Sequence, residues 1–320
     1  FVSVYRMHPL IPDEYAFHSA VTGGLLEKRQ LDELSGRKTP AIAERLTMPD
    51  LFYSFGTCHP GAVTLHNYPR HLQNLTRDDG ERLDVAAVDI LRDREGGVPR
   101  LKEFRRQYGL RQLTSFDDFV DTKLPKGSPA RAEQERLIGV MREIYGQHTC
   151  DASKIITEAQ VNADGTKIND CLGKPHGSMV DNVEDVDTVV GWLAEFSRPH
   201  GFAISETQFQ VFILNASRRL FSDRFFTSSF RPEFYTHLGV AWVTQNGPDR
   251  RMEKGRPNGH EVEVSPLKRV LQRTIPELQP ELDPVVNVFD PWARDRGEYY
   301  SLKWAPRAGA ESDPAFRESK

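Results

Sequence analysis

Apolar positions at helical spacing recur along most of the chain. The run "LDVAAVDILRDRE", residues 83–95, predicts a helix that Gly96, Gly97 and Pro99 end. "VPRLKEFRRQYGL" reads as a short amphipathic segment, and in "SFDDF" Ser115 is an N-cap that opens a new turn. "SPARAEQERLIGVMREIYG" predicts a surface helix with Leu137, Val140, Met141 and Ile144 on its buried side. "VDTVVGWLAEF" and "SETQFQVFILNASRRLFSD" are also helical, the second opening on a capping box in which Gln208 follows Ser205 by three positions. At about 100° per residue, Phe209, Phe212, Ile213, Ala216 and Leu220 form one apolar stripe, with Arg219 on its flank and Arg218 opposite. Residues 40–57 and 61–75 read as helical or irregular pieces around the break Cys58-His59-Pro60-Gly61. "SPLKRVLQRTIPEL" is a last helix, where a Ser265 cap and an N1 Pro266 coincide.

Alternation takes over between Gly146 and about Asp185. There "KIITEAQVNADGTKIND" predicts a β-hairpin turning at Asp164-Gly165, a small excursion from a mainly α body. Cys150 and Cys171 flank it, and a disulfide at its base and two reduced buried thiols fit the sequence equally well. Its Asn and Asp residues lack the spacing and terminal Glu of an EF-hand loop, so a plain turn is expected. Residues 247–263, polar and rich in Gly and Pro, predict a mobile loop, and residues 307–320 a frayed tail.

Composition narrows the function classes. A chain of 320 residues, 38% hydrophobic, can bury a sizeable core. A net charge of -4 and a pI near 6.2 offer no electrostatic reason for a nucleic-acid partner or an anionic membrane. No apolar run approaches the roughly 20 residues that span a bilayer, so a soluble or peripherally membrane-associated protein is expected. The start at Phe1 carries neither Met nor a signal-peptide pattern and reads as the middle of a folded element, with a preceding portion expected to be missing. Three cysteines are too few for a disulfide scaffold.

The candidate chemistry lies in the opening stretch, "FVSVYRMHPLIPDEYAF". Tyr5 and His8, three apart, would share one face of a helix that Pro9, Pro12 and Asp13 then break. Imidazole is a common metal ligand, and one axial His suffices for haem because the porphyrin supplies four nitrogens. A phenol beside haem can be oxidised to a tyrosyl radical. By itself such a pair is far more often ordinary core or surface material.

Longer motifs change that reading. "VYRMHPLIPDEY" resembles the proximal-helix signature of the animal haem peroxidase and cyclooxygenase superfamily, and "DVAAVDILRDREGGVPRLKEFRR" resembles its other long signature. "NYPRHL", "GFAISETQFQVFILNASRRLFSDRFFTSSF" and "YTHLGVAWV" resemble, more narrowly, the fatty-acid alpha-dioxygenases. The resemblance implies one haem-peroxidase-like helical catalytic region over residues 1–320, the C-terminal portion of such a domain, with residues 147–185 as an insertion. It makes His8 the proximal ligand of a haem b iron and Tyr5 the radical site. Asp89 falls where the superfamily accepts a hydrogen bond from the proximal imidazole, Arg92 at a position associated with a haem propionate, and Arg219 at an arginine that holds a fatty-acid carboxylate. The implied activity is fatty-acid dioxygenation to a hydroperoxide, the 2-hydroperoxide if Arg219 sets the register, with fatty acid and dioxygen as partners.

Two other readings stand beside it. One is a haem peroxidase that oxidises small donors with hydrogen peroxide, and the other a haem-free fragment that retains the helices. The family's distal His and the calcium loop beside it lie upstream of the proximal signature and have no match here. They are expected, with any calcium, in the missing N-terminal portion of the same protein. Met7 between Tyr5 and His8, and the missing Ser-type motif of cyclooxygenases, argue against prostaglandin formation.

Overall fold

Local signals set most of the helix ends. The computed structural model describes residues 1–58, 60–77, 79–151, 171, 174–196, 203–247, 249–252, 261–264, 266–283 and 288. Asp84 accepts from the Ala87 amide to start the helix Val85–Glu95, and Gly97, at φ 69°, follows its end in the left-handed region that glycine tolerates. Ser128 caps Pro129–Tyr145 in the same way. Ser115 caps the 3-10 turn Phe116–Phe119, whose Asp118 reaches back to the Ser115 amide at 3.2 Å.

The chain divides into two compact units, one made of Phe1–Ile11 and Ala62–Arg219, the other of Pro12–Gly61 and Leu220–Lys320. The first is mainly helical and packs Trp192, Leu101, Phe116, Phe119, Val4, Ile138 and Met141 into one core. Helices Leu101–Gln107 and Thr188–Ala194 approach so closely that a Cβ on Gly191 would collide with the Leu101 side chain. This core fixes the N-terminal segment: Trp192 Nε1 donates to the Ser3 carbonyl at 3.0 Å, and Gln208 Nε2 to the Val4 carbonyl at 2.7 Å. Strands Gln147–Thr149 and Met179–Asp181 pair antiparallel within this unit, and Cys150 and Cys171 form a disulfide.

Buried ions join the helices of this unit. Asp187 accepts a bidentate pair from Arg94 at 2.8 and 2.7 Å. Arg105, 3% exposed, donates to Glu195 and Thr207 at 2.8 Å and to Glu206 at 2.7 Å. Burial pushes the Glu195 carboxyl up even with Arg105 beside it. Arg105→Ala should therefore cost about 3–5 kcal/mol near neutral pH, because Glu195 is left as an uncompensated buried charge. A carboxyl with a raised folded pKa loses stability as pH rises through that pKa, so the deficit should shrink on acidification. Denaturant titrations at neutral and mildly acidic pH check both the size and the sign.

In the second unit, strands Glu14–His18 and Leu25–Gln30 form an antiparallel ribbon joined to helix Met48–Thr57. Ser54 and Asp50 of that helix accept from the His18 and Ala20 amides, each at 2.8 Å. Tyr53, Ala20, Leu271, Ile275, Leu278 and Leu282 form its core.

Several expectations change. The opening segment is two 3-10 turns, Val2–Val4 and His8–Leu10, rather than a helix spanning Tyr5 and His8. Proline at the second position of the latter turn supplies no amide to continue a helix. In Pro129–Tyr145 the buried face holds Ile138 and Met141, whereas Ile144 is 69% exposed. Tyr145 takes the inward position instead, its hydroxyl donating to Asp187 at 3.2 Å. In helix Glu206–Ser222 the buried residues are Thr207, Gln208 and Val211, while Phe212, Ile213 and Leu220 of the predicted stripe are exposed. Ser205 caps this helix, but the Gln208 side chain goes to Val4 rather than completing a capping box. The polar stretch predicted as a loop contains paired strands, Asp249–Met252 with Glu261–Val264. The Asp164-Gly165 turn and residues 307–320 lie outside the described residues.

Candidate functional site

His8 enters the site because the two hydrogen bonds to Ser3 and Val4 place the opening turns against the first unit's core. Its ring meets helix Val85–Glu95, from which Asp89 and Asp93, four apart, present one buried face. Asp89 Oδ2 lies 3.1 Å from His8 Nδ1, and Arg6 Nη1 occupies the other carboxylate oxygen at 2.9 Å. Arg6 also approaches Asp93 at 3.6 Å. Burial raises the Asp93 carboxyl, with Ser3 and Arg6 opposing it.

Tyr68 completes the cluster. Its hydroxyl is 2.9 Å from His8 Nδ1 and donates to Asp89 Oδ2 at 3.1 Å. Burial first, and then the Asp89 carboxylate, raise its pKa well above that of an ordinary phenol, so it remains a donor. Because the single phenolic proton goes to Asp89, Tyr68 can only accept from the imidazole. In the neutral imidazole Nδ1 therefore carries the ring proton, which leaves the lone pair on Nε2. The His8 side chain is 33% exposed, and imidazole is a common metal ligand. A carboxylate behind a histidine in this way orients the ring and raises its basicity as a ligand.

Tyr5, 56% exposed, stacks on Phe1 with ring centroids 5.1 Å apart. Arg92 is exposed on the same helix as Asp89 and, among the described residues, its side chain has no protein partner. Arg219 is exposed near the end of its helix. A cavity of about 390 Å³ is bordered by Phe1, Tyr108, Val211, Leu214 and Arg218, so the neighbouring arginine lines it. Sequence reasoning singled out Tyr5, His8, Asp89, Arg92 and Arg219, and the structure brings His8 and Asp89 together. It missed Arg6 and Tyr68, although both lie inside quoted motifs, "VYRMHPLIPDEY" and "NYPRHL". Nothing in either residue's local spacing points to His8.

A mainly helical scaffold here backs one half-buried imidazole with a carboxylate, an arrangement suited to orienting a metal-binding histidine. The chain belongs to the animal haem peroxidase family, whose model matches residues 1–250. It is similar to Alpha-dioxygenase 2 of Arabidopsis thaliana, 31% identical over 92% of this chain and 38% of that protein. It is also similar to Alpha-dioxygenase PIOX of Oryza sativa, 32% identical over 92% of this chain and 39% of that protein. The chain thus spans about two-fifths of the length of these relatives. The crystal structure of Oryza sativa fatty acid alpha-dioxygenase superposes with a TM-score of 0.62 at 31% identity, covering 92% of this chain and 39% of that one. Among the described residues, no helix is long and apolar enough to cross a membrane.

Proposed function

We propose that this chain carries the haem-proximal wall of a fatty-acid dioxygenase, with His8 as the proximal ligand of haem b. The observation that carries the reading is the Tyr68, Asp89 and Arg6 arrangement, which leaves His8 Nε2 with a lone pair for iron. Arg92, exposed beside this face, would hold a haem propionate as a guanidinium does a carboxylate. Haem, when bound, supplies the one-electron oxidation of the Tyr5 phenol.

The phenoxyl radical of Tyr5 takes a hydrogen atom from the fatty acid, restoring the phenol and leaving a carbon radical. Dioxygen adds to that carbon. The resulting peroxyl group takes back a hydrogen atom, giving the hydroperoxide and returning Tyr5 to its radical state. Abstraction at C2 follows if an arginine holds the carboxylate near Tyr5, and the relatives' names as fatty-acid alpha-dioxygenases support that register. Large apolar residues left exposed, among them Phe221, Phe226, Leu238 and Trp242, fit a chain whose remaining portion, with any calcium, covers them in the whole protein.

Oxygen uptake by the full-length protein with a long-chain fatty acid and no added peroxide tests the activity. Peroxide-dependent dye oxidation without fatty-acid oxygenation would replace it with the peroxidase reading. Arg219 is proposed as the carboxylate anchor. The cavity favours a second reading, in which Arg218 does this work. A charge-assisted bond contributes about 1.5–3 kcal/mol, so Arg219→Ala should weaken fatty-acid affinity roughly ten- to a hundredfold and leave a methyl ester nearly unaffected. The same acid-selective loss in Arg218→Ala, with Arg219→Ala silent, would transfer the role.

A further inference from the structure

The ribbon of strands Gln147–Thr149 and Met179–Asp181 carries a cluster that the proposed oxidation leaves unused. Cys150 and Cys171 are both buried, and their Cα atoms lie 5.4 Å apart in the disulfide. His148, two residues before Cys150, places Nε2 3.5 Å from Cys171 Sγ. One ligand atom from each of the three residues lies within 4.8 Å of the others. The backbone holds the group in place, with the Cys150 amide donating to the Ser178 carbonyl at 2.8 Å and the Gly177 amide to the Cys150 carbonyl at 2.9 Å.

Asn182 decides which way the imidazole faces chemically. Its amide nitrogen donates to the Tyr145 carbonyl at 2.8 Å, which turns its oxygen toward His148 Nδ1. An amide oxygen only accepts, so in the neutral ring Nδ1 bears the proton and Nε2 presents a lone pair to Cys171. A disulfide sulfur has no proton to give that lone pair. Two thiolates and a neutral imidazole nitrogen are, by contrast, a ligand set suited to zinc, whose bonds run about 2.3 Å to sulfur and about 2.0 Å to nitrogen. The imidazole's other nitrogen already has the outer partner that such ligands need.

We propose that His148, Cys150 and Cys171 form a redox-gated site for a soft divalent cation, zinc above all, closed while the disulfide stands. A dithiol or two monothiols open it by exchange. The Cys150–Cys171 bond accepts two electrons and breaks, both cysteines leave as thiols, and the reductant becomes a disulfide. Zinc then displaces the two thiol protons and binds both thiolates and His148 Nε2, with water in the fourth position. The two thiolates cancel the charge of the ion, so no net charge is buried. The site shares no residue with the His8 cluster, and its failure would leave the haem reading untouched.

The test uses the full-length holoprotein carrying Cys58→Ser, which removes the exposed free cysteine. Dialysed against zinc after phosphine reduction, it should retain one zinc more than the oxidised protein. X-ray absorption at the zinc edge, which iron does not obscure, should find two sulfurs at about 2.3 Å and a nitrogen at about 2.0 Å. Asn182→Leu should weaken zinc binding roughly ten- to a hundredfold by releasing the ring, and His148→Ala should weaken it at least as much. Equal zinc in the reduced and oxidised forms, a zinc shell without two sulfurs, or zinc retained after Cys150→Ser and Cys171→Ser would overturn the site. The absorption measurement needs no variant of the three ligands to fold.

Discussion

His8→Ala in the full-length protein should lose most of its haem, a fall of roughly tenfold or more in Soret absorbance per protein, because the proposed axial bond depends on this one side chain. Asp89, Arg6 and Tyr68 remain in that variant, but a carboxylate, an ion-paired guanidinium and a phenol offer no nitrogen lone pair in its place. Tyr68→Phe is the informative companion. It keeps the ring and its packing while removing the phenolic bridge between His8 and Asp89. Haem should stay bound, and both the reduction potential and the ferrous iron–histidine stretch should shift. Normal haem content and spectrum in His8→Ala would end the proximal assignment. An unmoved potential and stretch in Tyr68→Phe would reduce Tyr68 to packing.

Tyr5→Phe should abolish fatty-acid oxygenation while sparing haem. The change keeps an aromatic ring to stack on Phe1, so the opening turn has no reason to rearrange. It removes only the O–H that the proposed route oxidises. The oxygenation kcat should fall by about a thousandfold or more, to background, with haem absorbance and any peroxide reactivity retained. Oxygen electrode traces with palmitic acid, beside a Soret measurement on the same sample, separate these outcomes. Substantial turnover in this variant would exclude the tyrosyl route and move the peroxidase reading to first place.

The parts of the fold and site that could be read from the sequence are those set by near neighbours. Ser115 and Ser205 cap turns whose amides lie two or three residues away, so a cap is visible in a short window. The mainly helical class follows from the same local periodicity. Residues 14–30, by contrast, form a ribbon whose Tyr15 and Phe17 alternate with Glu14, Ala16 and His18 over too short and too mixed a span to stand out, and helix Met48–Thr57 supplies hydrogen bonds that hold it.

The sequence by itself determined the identity of the candidate chemistry: a phenol and an imidazole three residues apart, and a carboxylate in a second motif. It also determined that Asp89 and Asp93 would share a helix face, since helical spacing alone sets that. Only the tertiary structure decided which His8 nitrogen is free, because that depends on where Tyr68 and Arg6 arrive from 60 residues away and from two residues away. It likewise decided that Gln208 serves Val4 rather than its own helix cap, and that the face carrying Arg218 lines the cavity. Helical phase relates residues on one element to each other. Which face is buried depends on what that element packs against, and the partners of Glu206–Ser222 are the opening turn and the helices around Arg105, far away in sequence.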